Sequence, residues 1–560
     1  MNTKFGLVNN RVLFTIFVWV ITDEIRTFNV DDRKPIYFQE EENAMFGYTV
    51  AFLASSSGIT SLLVGAPNRT GEDGIKGFGG FYECEINLLR QRGNCQRREI
   101  VDYMCQKFKT RYKCEDYQML GATIAVNHKY QDVKYNMNVP RVSVCAPGWK
   151  YTLTERYEKN FTLPVGKCYH FKETWQYESC ENEYEYCIPF WKNPEKYIQS
   201  DGTDEFAISM GGFSMKYSQD GTYSLIGGPG VKEGRGAVKL HQISSLEHIF
   251  DKRKDGLWVQ YFGFSLTTAN FKEHGSFTAG IPNYHPNQQG YTGRVEVFSV
   301  VDFARKNALN FGETTSCDGD ITVIINEHPQ SGTKFGYVVE GINVDGKGMD
   351  ELFVGAPLYS EFVMKRVVSP DTGRVFVYRV TTEKICGPIV VLTGAASDPS
   401  LRKLAAYARF GTAISSAGDL NHDGYKDVAI GAPYEDEYTG AVYIYNGGTD
   451  GVKNVFSQRI AGRVMASNTP GSNIQTFGWH INGEYDVDKN GFTDLAIGAY
   501  KNDVAIVLRT RPVVNVTMDI RLFPSIIPLN GTPGSACGDA PCLRLMVCFS
   551  YIVENFQLCS

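Results

Sequence analysis

A short glycine signature recurs seven times along this 560-residue chain, and it constrains the fold more than any other feature. Each unit opens on an aromatic-Gly or apolar-Gly step: Phe46-Gly47, Leu120-Gly121, Gly211-Gly212, Phe262-Gly263, Phe335-Gly336, Phe410-Gly411 and Phe477-Gly478. Each closes 15 to 24 residues later on a related sign: "LVGAP", "SVCAP", "LIGGP", "TAGIP", "FVGAP", "AIGAP" and "AIGAY". Successive units are 74, 91, 51, 73, 75 and 67 residues apart, the mark of a repeat architecture. Between the signs, stretches such as "GRVEVFSV", "GRVFVYRV" and "GAVYIYNGG" alternate and are rich in β-branched and aromatic residues, so they read as strands. A unit of this size suits a four-stranded blade, whereas a β-solenoid would need shorter and more uniform repeats. Seven blades suit a closed propeller, which leaves only short, protected edges. The expectation is an all-β chain with a seven-bladed β-propeller over residues 28–511.

The ends read differently. Lys4 and Arg11 precede the ten-residue apolar run "VLFTIFVWVI" and then polar "TDEIRT", which predicts a signal peptide over residues 1–27. No later run approaches the roughly 18 apolar residues of a membrane helix. After Arg511, "PVVNVTMDIRLFP" alternates again and places the Asn515 sequon on the face opposite Val514 and Val516. Residues 512–560 are therefore expected to begin an immunoglobulin-like β-sandwich, too short to complete one of about 100 residues. The closing "ENFQLCS" reads as an interruption, which predicts a fragment or shortened product.

Twelve of the 14 cysteines fall in close sequence pairs: Cys84/Cys95, Cys105/Cys114, Cys145/Cys168, Cys180/Cys187, Cys537/Cys542 and Cys548/Cys559. None forms the doubled C-x-x-C of a zinc site, so local disulfides in an oxidising compartment are expected, although sequence proves no single link. Cys317 and Cys386 remain and could pair with each other. Sequons at Asn68, Asn160, Asn515 and Asn530 point to the same secretory route. The net charge of -6, with no basic run, disfavours a nucleic-acid partner.

Two stretches concentrate oxygen ligands, "DLNHDGYKD" at 419–427 and "DVDKNGFTD" at 486–494. Both fit D-x-[DN]-x-[DN]-G-x-x-D, which puts an oxygen at every second position and a glycine where the chain must turn sharply. The predicted ligands are Asp419, Asn421, Asp423, the Tyr425 carbonyl and Asp427, then Asp486, Asp488, Asn490, the Phe492 carbonyl and Asp494. An EF-hand would place Glu at the twelfth position; Ile430 and Ile497 stand there inside apolar strands, so these are nine-residue loops between strands. Oxygen-only donors favour Ca2+. The alternative is a metal-free Asp/Asn-rich turn, and two matches at equivalent places argue against it. A third loop, "NVDGKGMDE" at 343–351, keeps Asn343, Asp345 and Glu351 but has Lys347 at a ligand position, so its metal is in doubt. A fourth, at 270–278, has Lys272, His274 and Thr278 at ligand positions, and no metal is expected there.

Together, the seven aromatic-Gly/Gly-Ala-Pro units and the acidic loops of the later units resemble the head of an integrin alpha subunit. The likeness runs from "FNVDD" at 28–32 through "CAP" (145–147), "GGFS" (211–214), "GGPG" (227–230) and "FGYVV…VGAPLY" (335–359), then into what resembles the start of a thigh domain. The chain looks most like an invertebrate member. The resemblance implies pairing with an integrin beta subunit. It further implies recognition of extracellular-matrix or cell-surface ligands at the face opposite the calcium loops, and a place at the cell surface within a full-length type I receptor. The chain as written would be extracellular. The spacing of 91 residues between the second and third units leaves no room for an inserted von Willebrand-type domain.

Alpha chains that recognise Arg-Gly-Asp carry two acidic residues at positions occupied here by Asp204 and Trp258. The resemblance therefore implies poor recognition of an Arg side chain by the usual acidic clamp; the alternative is that these loops have drifted and Asp204 is a solvated turn residue. Not being an enzyme is part of the same expectation. Two alternatives stay open: a secreted stand-alone or decoy propeller, and the propeller part of a secreted hydrolase. Against the latter, the nine His are scattered and no G-x-S-x-G, H-E-x-x-H or P-loop occurs.

Overall fold

The computed structural model describes residues 29–553 apart from 71–76, 99, 101–117, 130, 133–136, 154–160, 173–174, 176–186, 188, 190–207, 244–247, 254–258, 271–275, 286–289, 300–322, 326–329, 365, 381–384, 469–473 and 524–543. Seven antiparallel sheets follow one another along the chain. Blade one is Thr49–Ala54, Thr60–Gly65, Phe81–Glu85 and Asn94–Arg98; blade two is Thr123–Asn127, Arg141–Ala146 and Lys167–Lys172. Blade three runs from Ser214–Tyr217 to His248–Arg253, blade four from Ser265–Ala269 to Val323–Ile325, and blade five from Val338–Ile342 to Ile385–Leu392. Blade six comprises Ala413–Gly418, Asp427–Ala432, Ala441–Tyr445 and Gln458–Ala461. Blade seven takes three strands from His480–Tyr485, Asp494–Ala499 and Val504–Leu508, and its fourth, Ile36–Gln39, from the start of the described chain. That exchange pairs Ile36 with Val507 and Gln39 with Val504, so the two ends of the ring lock through backbone hydrogen bonds. The fold is a seven-bladed β-propeller. The interval 173–213 between blades two and three is too short for another domain.

The seven recurrent glycines explain how the blades meet. All of them, from Gly47 to Gly478, have φ between +82° and +91°, which a side chain would make costly. The glycine of each later sign packs its Cα against the next unit's step: Gly227 faces the Gly263 carbonyl, Gly355 that of Gly411, Gly431 that of Gly478, and Gly498 closes the ring on Gly47. A Cβ at any of these four would stand within 2.3 Å of that oxygen. The aromatic ring of each step is the other half of the device. Phe46, Phe262, Phe335 and Phe410 are buried edge-on against Tyr82, Phe298, Phe376 and Tyr443 of their own blades' third strands. Burying each Phe contributes about 1.5–3 kcal/mol.

Two disulfides staple neighbouring strands within a blade, Cys84–Cys95 and Cys145–Cys168. Cys187 is also disulfide-bonded. Cys105, Cys114, Cys180, Cys317, Cys537, Cys542 and Cys559 lie outside the described residues, and only the backbone of Cys386 is described, in the strand Ile385–Leu392. Cys548 corrects the expected Cys548/Cys559 pair: its thiol is free and exposed. It sits opposite Asp519 in a continuous ladder of ten residue pairs between Val514–Phe523 and Arg544–Val553, held without a covalent link. This two-stranded sheet is what the structure describes after the propeller. No helix among the described residues is long and apolar enough to cross a membrane.

Candidate metal centres and the opposite mouth

In every blade the inner strand starts just after the aromatic-Gly step and ends at the next loop, so steps and loops lie at opposite ends of the seven inner strands. Those strands surround a central channel of about 600 Å³. Two ion pairs lie along it: Lys216 reaches Glu340 at 3.1 Å, and Lys426 reaches Glu484 at 2.5 Å. Burial pushes His128 and His480 down to about 4 and keeps both rings neutral at pH 7.

At the loop end, blades six and seven repeat one construction. The first carboxylate accepts the N–H groups of the fifth and sixth residues: Asp419 from Asp423 (3.1 Å) and Gly424 (2.8 Å), Asp486 from Asn490 (3.1 Å) and Gly491 (2.7 Å). The ninth carboxylate reaches back to the second residue: Asp427 accepts from the Leu420 N–H at 2.9 Å, Asp494 from Val487 at 2.8 Å. The chain achieves this with left-handed residues at the fourth and sixth positions, His422 and Gly424 in one loop, Lys489 and Gly491 in the other. The carbonyl-bearing seventh residues, Tyr425 and Phe492, follow directly. In the second loop Asp486, Asp488 and Asp494 bring one oxygen each within 4.8 Å of one another. In the first, the Asn421 amide donates to Asp423 at 2.9 Å and the Asp423 N–H donates to Asp419 at 3.1 Å, but Asp419, Asp423 and Asp427 are not drawn together as the three carboxylates of the second loop are.

Such crowding has an electrostatic signature. Burial, reinforced by the neighbouring carboxylates, pushes Asp427 and Asp494 up to about 7. Burial and Asp486 also raise Asp488, against Arg509, whose guanidinium stands 3.8 Å away. A hard divalent cation would balance this oxygen-only set, and the residues present fit one. The sign of the pH effect follows. In the metal-free chain these two groups hold protons that the unfolded chain releases near 4, so its stability falls as pH rises from about 4 to 7. A bound cation demands the ionised forms. Calcium binding is therefore expected to release protons, and apparent affinity to fall by up to about tenfold per pH unit below 7. A calcium titration in weakly buffered solution, read by a pH electrode, checks this; release that is unchanged between pH 6 and 8 contradicts it.

The loops also hold the two ends of the propeller. Thr510 donates its N–H to Asp494 and accepts from the Asn490 amide, each at 2.8 Å. Asn29 donates to the Leu420 carbonyl at 3.1 Å, and Val30 pairs with Thr510. The segment leaving the propeller for Val514–Phe523 is thus hydrogen-bonded to the acidic loop of blade seven.

At the other end of the channel, aromatic side chains gather. The residue after the step glycine is aromatic in five of the seven units: Tyr48, Phe213, Phe264, Tyr337 and Trp479. All five are half-buried, and they touch from blade to blade, with centroid distances of 4.8 Å for Phe213–Phe264, 5.0 Å for Phe264–Tyr337 and 5.5 Å for Tyr48–Trp479. Tyr500 stacks edge-on to Trp479 at 4.7 Å, and Tyr434 carries the Arg409 guanidinium at 4.6 Å. Reading one residue beyond each glycine would have found this mouth.

Of the remaining expected site residues, Asn68 is exposed, with its amide on the Asn43 carbonyl at 2.8 Å. Asn515 lies in the strand Val514–Phe523. Asp204, Trp258, Asn160, Asn530, Lys272 and His274 fall outside the described residues.

The FG-GAP repeat family matches residues 410–445, the step, acidic loop and sign of blade six. Along nearly the whole chain the likeness is to integrin alpha subunits. It is 30% identical to integrin alpha-8 of Gallus gallus over 94% of this chain and 47% of the relative. It is 28% identical to integrin alpha-5 of Xenopus laevis over 96% and 48%, and 28% identical to integrin alpha pat-2 of Caenorhabditis elegans over 94% and 40%. The chain is homologous to integrin alpha subunits. It spans about half the length of the curated integrin relatives it matches. Its described residues form the seven blades above, and no inserted domain is evident among them.

Proposed function

We propose that this chain is the ectodomain head of an integrin alpha subunit, a binding protein and not an enzyme. It pairs with an integrin beta subunit to recognise extracellular-matrix or cell-surface ligands. The observation that carries this reading is homology along nearly the whole chain to integrin alpha subunits, on a propeller with aromatic mouth and acidic loops at opposite ends. Calcium ions at 419–427 and 486–494 act as structural pins, relieving carboxylate repulsion and fixing the hairpins. Asp419, Asn421, Asp423, Asp427 and the Tyr425 carbonyl would hold one; Asp486, Asp488, Asn490, Asp494 and the Phe492 carbonyl the other. The domain limits follow the same reading: a signal peptide over 1–27, the propeller over 28–511, a thigh-like sandwich beginning at 512.

The aromatic mouth is the surface offered to the beta subunit. Half-buried rings with electron-rich faces suit a cationic or aromatic anchor, worth about 0.5–2 kcal/mol for each such contact. Trp479→Ala is expected to weaken capture of a beta-subunit ectodomain at least tenfold by surface plasmon resonance. Tyr407→Ala, at an exposed tyrosine outside the ring, should leave capture unchanged. Equal capture by all three proteins would remove the mouth from the interface.

A further inference from the structure

The blade-five loop has the backbone of a metal loop and lacks its charge. Gly346 and Gly348 take the left-handed conformations seen at His422 and Gly424, and at Lys489 and Gly491; the sixth-position φ is 89° in all three loops. The ninth residue again reaches back: Glu351 accepts the Val344 N–H at 3.0 Å, as Asp427 and Asp494 do in their loops. Asp345 accepts the Lys347 N–H at 2.9 Å, repeating the contact that Asp488 makes with Asn490.

What differs is the fifth position, where Asp423 and Asn490 stand in the other loops. The Lys347 ammonium lies 3.1 Å from the Asp345 carboxylate and donates to the Thr449 carbonyl of blade six at 2.6 Å. Arg379 of blade five donates to the next carbonyl of the same turn, Asp450, at 3.1 Å. The ammonium therefore touches the loop's own carboxylate while bridging to the neighbouring blade. Its charge also decides the balance. Loops 419–427 and 486–494 each offer three ligand carboxylates, whereas this loop offers Asp345 and Glu351 against one ammonium, with uncharged Asn343 in first place.

We propose that Lys347 is a tethered cation that takes the place of the metal in blade five, so that the loop folds without an ion and does not load one. This rests on reading the other two loops as calcium sites. Divalent occupancy of such a loop needs more negative charge than one net carboxylate supplies, and the ion would have to expel an ammonium that cannot diffuse away.

The test counts ions on the full chain by calorimetry and elemental analysis after gel filtration in calcium. The unsubstituted protein is expected to hold two. Lys347→Asp restores a third carboxylate and is expected to hold three, and Lys347→Asp with Glu351→Gln to return to two. Lys347→Met removes the ammonium without adding a donor; it is expected to stay at two ions and to lower the thermal midpoint, because Asp345 then loses its balancing cation. Three ions on the unsubstituted chain, or two on a folded Lys347→Asp chain, overturns the proposal. Fewer than two on the unsubstituted chain overturns the calcium reading of the acidic loops first, and the tether with it.

Discussion

Gly431→Ala is expected to abolish secretion of folded protein. Gly431 lies in the second strand of blade six, and a Cβ there would stand 2.0 Å from the Gly478 carbonyl oxygen and 3.0 Å from its carbon. Both obstacles are backbone, and Gly478 itself is held at φ +91° by the step of blade seven. Neither side can turn away as a flexible side chain would, so blades six and seven must part. Overpacking of ordinary cores costs about 1–3 kcal/mol, and this site belongs at or above the top of that range. Separation also exposes Phe477, Ile497 and Val442, which are fully buried. Gly58→Ala is the matched control. It too has positive φ, but nothing lies within 4 Å of the added Cβ, so only the backbone term of about 1 kcal/mol applies. Secreted yield and thermal midpoint distinguish the two. Near-equal midpoints would mean that the ring does not depend on close contact between blades.

Calcium removal is the second large effect. Two sites filled at a hundred times their dissociation constants stabilise the fold by about 2.7 kcal/mol each. Chelation removes this and leaves buried Asp427 and Asp494 without a counter-charge, so the thermal midpoint should fall by several degrees or more. The drop is expected to be larger at pH 7.5 than at pH 5.5, because at the lower pH these carboxylates are already protonated in the metal-free chain. Asp494→Asn should show about half the chelator effect and should also loosen residues 509–511, since Asp494 holds the Thr510 N–H. Faster hydrogen exchange at Thr510 would report it. A midpoint indifferent to chelator at both pH values contradicts the structural role assigned to the ions.

Much of this was legible before any coordinates. Glycine at the step positions encodes positive φ, and glycine in the later signs encodes close approach, so the seven units located all seven sheets. The acidic loops could be placed because ligand spacing is local. Long-range relations were not legible. Nothing in "IYFQ" says that it completes the blade containing "VAIVL" more than 460 residues later, since β pairing depends on where the ring closes. The aromatic mouth was missed because Tyr48, Phe213, Phe264, Tyr337 and Trp479 are far apart in sequence and meet only round the channel. Lys347 was visible as a misfit, but not its second contact, on Thr449 in another blade. Cys548 was read by proximity to Cys559, whereas strand geometry left its thiol free.

The most direct measurement is co-secretion. Residues 1–560 are expressed with an integrin beta ectodomain from the same source, in calcium and magnesium, and the medium is analysed by size-exclusion chromatography with light scattering. The expected result is a single species with the summed mass of both chains that dissociates on chelation. Two separate peaks, with this chain folded, calcium-loaded and alone, would contradict the receptor-subunit reading and favour a stand-alone secreted propeller.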